Sequence, residues 1–117
     1  MRWYERIIKA HLEVTDQVRH SERIKDSDRY IVWQEDGAHD LMAGDVHAEK
    51  AMTGRSDLFT KQEFDPWADE MAHAFSRNGI AWSLITVDYE EDTGFYHYSW
   101  DWEVPDGKAE KGPDTSA

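Results

Sequence analysis

The chain has 117 residues, 39% of them hydrophobic and including six Trp, five Tyr and four Phe. That length and composition suit one compact domain and exclude a compositionally disordered chain. There is no cysteine, which excludes disulfides, thiolate nucleophiles and cysteine-based zinc sites. The formal net charge of −12 is unevenly spread: residues 1–29 hold seven basic and six acidic groups, the remaining 88 six and nineteen. Such a body repels a phosphate backbone, so nucleic acid is not expected as a ligand. No apolar run approaches the roughly 20 residues that cross a bilayer, and the opening MRWYERIIKAHLEV carries charges through its apolar part. The expectation is a soluble, intracellular protein without a membrane partner.

In chain order, Tyr4, Ile7, Ile8, His11 and Leu12 recur at helical spacing and predict a helix over about 2–14. Val18 and His20 alternate with polar neighbours, as in a short strand near 17–21. KDSD (25–28) is turn-forming, and RYIVWQE (29–35) has the β-branched and aromatic content of a strand. DGAHDLMAGDV (36–46) predicts a hairpin or extended loop with Leu41 and Met42 at its tip. This tip, with Asp36, Asp40 and Asp45 around it, is a candidate subunit or partner interface. A second extended segment follows over about 49–60, in which Gly54 suggests a bulge or bend.

The strongest helix signal follows Phe64. Asp65 suits the N-cap and Pro66 the first helical position. Asp69 and Glu70 complement the dipole of the first turn, and Gly79 can take the left-handed conformation that ends the helix. Trp67, Met71, Ala74 and Phe75 fall on one face, which predicts a core stripe rather than a cofactor box. IAWSLITVDYE (80–90) predicts a strand and EDTG (91–94) the turn into the next.

Residues 88–104, DYEEDTGFYHYSWDWEV, combine six aromatic side chains with six carboxylates and no Lys or Arg. From Phe95 onward, Tyr96, Tyr98, Trp100, Trp102 and Val104 alternate with His97, Ser99, Asp101 and Glu103. Period two over this length predicts a strand with one packed and one wet face. Each buried aromatic removes about 150–250 Å2 from water, so this strand is expected to supply much of the core. Core-forming positions are therefore Trp67, Met71, Phe75, Tyr96, Tyr98, Trp100 and Trp102. PDGKAEKGPDTSA (105–117) has no large apolar residue and predicts a disordered tail behind a single domain over 1–104.

Little in the sequence points to chemistry. His39, Asp40, Asp45, His47 and Glu49 form a loose group of metal-ligand types, but their spacing matches no established site. There is no HExxH, P-loop, dinucleotide-binding glycine pattern or nucleophile elbow. No catalytic residue, cofactor or metal is expected. The acidity leaves an alternative open, an inhibitor or immunity-type protein, or a DNA mimic, that binds a basic partner.

Three segments, DRYIVWQEDG (28–37), SDLFTKQEFDPWADEMAHAFSRNGIAW (56–82) and YEEDTGFYHYSWDWEV (89–104), resemble in order and spacing the small minor tail components of tailed bacteriophages and prophages, of the tail-terminator or tail-completion type. The most specific parts are DLFTK before the capped helix and EDTGFYHY after the turn. The resemblance implies an α+β domain: a mixed or antiparallel sheet of about four to five strands, packed on one face by two helices. It also implies a non-enzymatic role in which subunits close into a ring, usually a hexamer, at the end of the tail tube. Implied partners are further copies of the chain, the tail-tube protein and the head–tail connector. The implied locations are the virion tail and, during assembly, the host cytoplasm.

Overall fold

The computed structural model describes residues 1–40 and 50–105, with side chains at all of these except 38–40 and 50. Helix α1 (Trp3–Leu12) is followed by strands β1 (Val18–His20), β2 (Arg29–Asp40) and β3 (Lys50–Thr60), helix α2 (Pro66–Arg77), and strands β4 (Ala81–Glu90) and β5 (Phe95–Pro105). The strands form one sheet in the order β1-β2-β3-β5-β4. β1 runs parallel to β2 and every other pair is antiparallel, so the sheet is mixed and the fold is α+β.

Period-two alternation divides the sheet into a helix-covered face and an open face, and the register aligns the covered face in rows. One row runs His20, Trp33, Ser56, Trp100, Leu84; the next runs Val18, Ile31, Leu58, Tyr98, Val87. A shorter row joins Gly54, Trp102 and Trp82. α1 and α2 close the core over the middle of these rows with Ile7, Ala10, Met71, Ala74 and Phe75. Of the expected core positions, Met71, Phe75, Trp100 and Trp102 are buried, while Trp67 and Tyr98 are partly buried against the same cluster. Tyr96 is half-buried outside the cluster, its ring 4.8 Å from that of Tyr89.

α2 is built as its sequence suggests. Asp65 caps it, accepting from the Trp67 N–H at 2.9 Å, and Gly79 takes φ +70° after its end. Buried Asp65 does more, because the Arg29 guanidinium donates to both its carboxylate oxygens and lies 3.7 Å over the Trp67 ring. Burial raises the Asp65 pKa, but the hydrogen bonds from Arg29, Trp67 and Thr60 outweigh it and hold this carboxyl below its usual range. One side chain thus ties the start of β2 and the end of β3 to the helix.

The strand register bears on three expectations. The segment 36–46, expected as a hairpin or extended loop, enters a hairpin, since β2 continues to Asp40 and pairs antiparallel down to Lys50; Leu41, Met42 and the rest of the tip lie outside the described residues. The extra residue of the bulge is Asp36 on β2, between Glu35 and Gly37, and not Gly54 on β3. The Thr53 hydroxyl donates to Asp36 at 2.7 Å. Pro105, expected as the first residue of the tail, belongs to β5 and pairs with Ala51; residues 106–117 lie outside the described residues.

Gly54 has a different purpose. A Cβ there would stand 2.3 Å from two ring carbons of Trp102 and 2.6 Å from the Gln34 carbonyl oxygen. Trp102 therefore lies directly on bare backbone. Its indole N–H donates to the Ser56 hydroxyl at 2.9 Å, and that hydroxyl lies 2.8 Å from Nε2 of His11. His11 Nδ1 is 2.7 Å from the Ile7 carbonyl oxygen, which can only accept, so Nδ1 carries the proton and Nε2 accepts from Ser56. The chain Trp102 to Ser56 to His11 to Ile7 leaves no polar atom unsatisfied.

Two predictions follow from this chain. Gly54→Ala is expected to cost about 3 kcal/mol, because neither the ring nor the carbonyl can move without disturbing the sheet; urea unfolding of both proteins measures it. Burial lowers the His11 pKa from 6.5 to about 4, despite the Ile7 hydrogen bond that opposes the shift. The unfolded chain therefore takes up this proton first. Stability from His11 is complete above pH 6.5 and is lost as pH falls toward 4, by about 3 kcal/mol in all. His11→Gln keeps one donor and one acceptor but cannot titrate, so the difference between the two stability curves should change by about 3 kcal/mol across this window and stay flat above and below it.

Candidate interaction surfaces

The helix layer covers the edge of the sheet only in part. Helices of 10 and 12 residues are about 15 and 18 Å long, whereas strands of 10 to 12 residues extend about 33–40 Å. Each of the three rows that reach β4 ends there in an apolar side chain, Trp82, Leu84 or Val87, left 40% or more exposed among the described residues. Trp82, Leu84, Ile85, Val87 and Tyr89 are 40%, 46%, 40%, 50% and 54% exposed. Trp82 is tied to the helix layer, donating its indole N–H to the Ser76 hydroxyl at 3.0 Å. β4 contains no Pro, Lys or Arg, the residues that commonly guard an edge strand, and its one interruption is the bulge between Leu84 and Thr86.

A second apolar surface lies at the opposite edge of the sheet. α1 turns Ile7, Ala10 and His11 inward, which leaves Tyr4, Ile8 and Leu12 on the adjoining outer face. Between this face and β1 lies a groove of about 530 Å3, lined by Trp3, Tyr4, Ile8, Leu12, Val18 and Trp33 among others. Arg19 and Glu35 stand at its polar margin. Phe64, just before the α2 cap, is 83% exposed at a φ of +56°, a conformation that a bulky side chain rarely adopts.

The open face of the sheet brings together Ser99, His97 and Asp57, a set that invites comparison with a nucleophile triad. The geometry is different. One oxygen of Asp57 accepts from both the Ser99 hydroxyl, at 2.5 Å, and His97 Nε2, at 2.8 Å. The serine proton is thus directed at the carboxylate, and the imidazole nitrogen nearest the serine is engaged as a donor. Ser99 is also buried, 4% exposed. Burial raises the Asp57 pKa, but hydrogen bonds from His97 and Ser99 more than offset it, so the carboxyl stays below its usual range. This cluster joins β3 to β5, and it arises from the register that sets Asp57 opposite Ser99.

Of the residues singled out as a candidate interface, Asp36 is exposed beside Thr53. Asp40 closes β2, paired with Lys50, and Leu41, Met42 and Asp45 fall outside the described residues. The sequence analysis did not identify the β4 stripe or the α1 groove as surfaces. Both consist of residues whose pattern marks them as apolar faces, and a pattern cannot tell which faces find a cover. Among the described residues no three His, Asp or Glu side chains converge as metal ligands, and no helix is long and apolar enough to cross a membrane.

No protein-family model matches the chain, and no curated protein matches it. A chain in the solved virion of a native gene transfer agent particle shares its fold, with a TM-score of 0.54 and 11% identity. The alignment covers 90% of this chain and 91% of that one. At this identity the likeness is one of fold.

If β4 is exposed as described, Val87→Thr should change stability by less than about 0.5 kcal/mol. Trp100→Ala, at a core position only 1% exposed, should cost about 3–5 kcal/mol. Thermal unfolding of the two variants under conditions where the protein is monomeric makes the comparison.

Proposed function

We propose that this chain is a structural subunit of a phage-like virion. The observation that carries the proposal is the fold shared, over nine-tenths of both chains, with a component of a gene transfer agent virion. The three segments that resemble minor tail components point the same way and supply the finer reading. In that reading the protein is a tail terminator that self-assembles into a ring, a hexamer, on the end of the tail tube. The ring offers a docking face to the head–tail connector, in the virion tail, after assembly in the host cytoplasm. The role is one of binding, without catalysis or cofactor.

Two apolar surfaces on opposite edges of one subunit support ring formation, because a closed ring needs two different patches per chain. Charge works against it. At −12 per subunit, six copies bring a large like charge together. Screening should therefore promote assembly as the Debye length falls from about 10 Å at 0.1 M salt to about 3 Å at 1 M. Light scattering across that range, with and without purified tail tubes, is expected to show mass rising with salt and with tubes present. A strict monomer in every condition would defeat the terminator reading. It would favour the alternative suggested by the excess of nineteen acidic over six basic groups beyond residue 29, an acidic inhibitor of a basic protein.

A further inference from the structure

We propose that copies of this chain associate head to tail, with the exposed face of β4 on one copy packed against the α1–β1 edge of the next. The inference rests on the self-assembly in the reading above and assigns it to particular surfaces.

Area is the first argument. The exposed fractions of Trp82, Leu84, Ile85, Val87 and Tyr89 leave on the order of 400 Å2 of apolar side chain on β4. A standard interface buries about 800 Å2 per partner, a little over half of it apolar, so this stripe alone supplies nearly the apolar share of one side. Tyr4, Ile8 and Leu12, at 43%, 42% and 54% exposure beside the 530 Å3 groove, offer a matching surface. β1 and β4 are the two outer strands of the sheet, so the surfaces face away from each other. They cannot both be covered by one partner in a single contact.

Charge is the second argument, and it selects the orientation. Residues 81–92, β4 and its turn, carry Asp88, Glu90, Glu91 and Asp92 with no Lys or Arg. Residues 1–25, which form the other edge, carry six basic groups against four acidic ones, with Arg19 exposed on β1. A two-fold contact through β4 would instead be antiparallel. It would bring Asp88 and Glu90 of each copy to the end where Asp101 and Glu103 stand behind Ser83 and Ala81 of the other. Like charges would then meet at both ends, so complementarity favours the head-to-tail arrangement, while burial of the apolar rows supplies the adhesion. Salt can accordingly strengthen assembly overall without altering which edges meet.

The test uses the full-length chain and two single variants, Leu84→Glu on β4 and Leu12→Glu on α1, each at an exposed position. Wild type is expected to assemble at high salt, and each variant alone to remain at the 13.7 kDa chain mass in sedimentation or native mass spectrometry. Mixed one to one, the variants still own one intact β4 face and one intact α1 face between them, so the mixture should shift to twice that mass and go no further. A mixture that stays monomeric while wild type assembles overturns the proposal. So do homodimers of the Leu12→Glu chain, which would mean a two-fold β4 contact, and variants that assemble as wild type does. Each of these outcomes leaves the ring reading standing. A wild type that stays monomeric at every salt concentration and with tail tubes present overturns both. A variant whose melting shows a folding defect is replaced by Val87→Glu or Ile8→Glu, and the same outcomes decide.

Discussion

The fold is organised around the contact of Trp102 with the bare backbone of Gly54. An indole can approach a neighbouring strand this closely only where no Cβ intervenes, and the approach brings its N–H to Ser56. Ser56 in turn holds His11 of α1, whose other ring nitrogen is committed to its own helix. Trp3 stacks on Trp102 at 6.5 Å, and Trp33 stands at the same distance from it. One residue of β5 thus sets the height of β3, the seat of α1 and the packing of β2. A buried polar chain of this kind stabilises only when every member is satisfied, which is why a neutral His11 of one tautomer is part of the design.

With α1 and α2 placed by these contacts and by the Arg29–Asp65 pair, the covered area follows from dimensions. Two short helices shield the middle of a long sheet and reach β4 only in part, leaving its apolar side chains 40% or more exposed. The rows of apolar residues do not stop with them. An apolar row that outruns its cover has to meet something outside the monomer or remain an aggregation liability. The same economy at the other edge leaves half of α1's apolar circumference facing outward. The surfaces proposed for assembly are thus what remains after the core has been closed.

The face of the sheet away from the helices illustrates the limit of reasoning from residue types. Ser99, His97 and Asp57 have the chemistry of a hydrolytic triad, yet the register delivers both donors to one carboxylate oxygen and buries the hydroxyl. Proximity of the right groups is common in a sheet, where every second residue meets a partner across the strand. Function requires the right atom of each group, with access.

Local patterns in the sequence determined most elements and their faces: the capped helix from Pro66, the turn at 91–94 and the alternation from Phe95 to Val104 are all set by neighbours a few residues apart. Periodicity of this kind is an energetic preference of a segment for one face, so it survives without knowledge of what the face will meet. Everything that depends on distant partners was decided only by the tertiary structure. Gly54 looked like a bulge because glycine in a strand usually weakens it, but its reason is the Trp102 ring, 48 residues away. The continuation of β2 through Asp36 depends on Thr53 across the ladder. Tyr4, Ile8 and Leu12 have the same periodic signature as Ile7 and His11, and IAWSLITVDYE the same apolar character as the central strands. Which of these faces is core and which is left for a partner is set by strand order and by where the helices lie on the sheet, neither of which is encoded in any single stretch of residues.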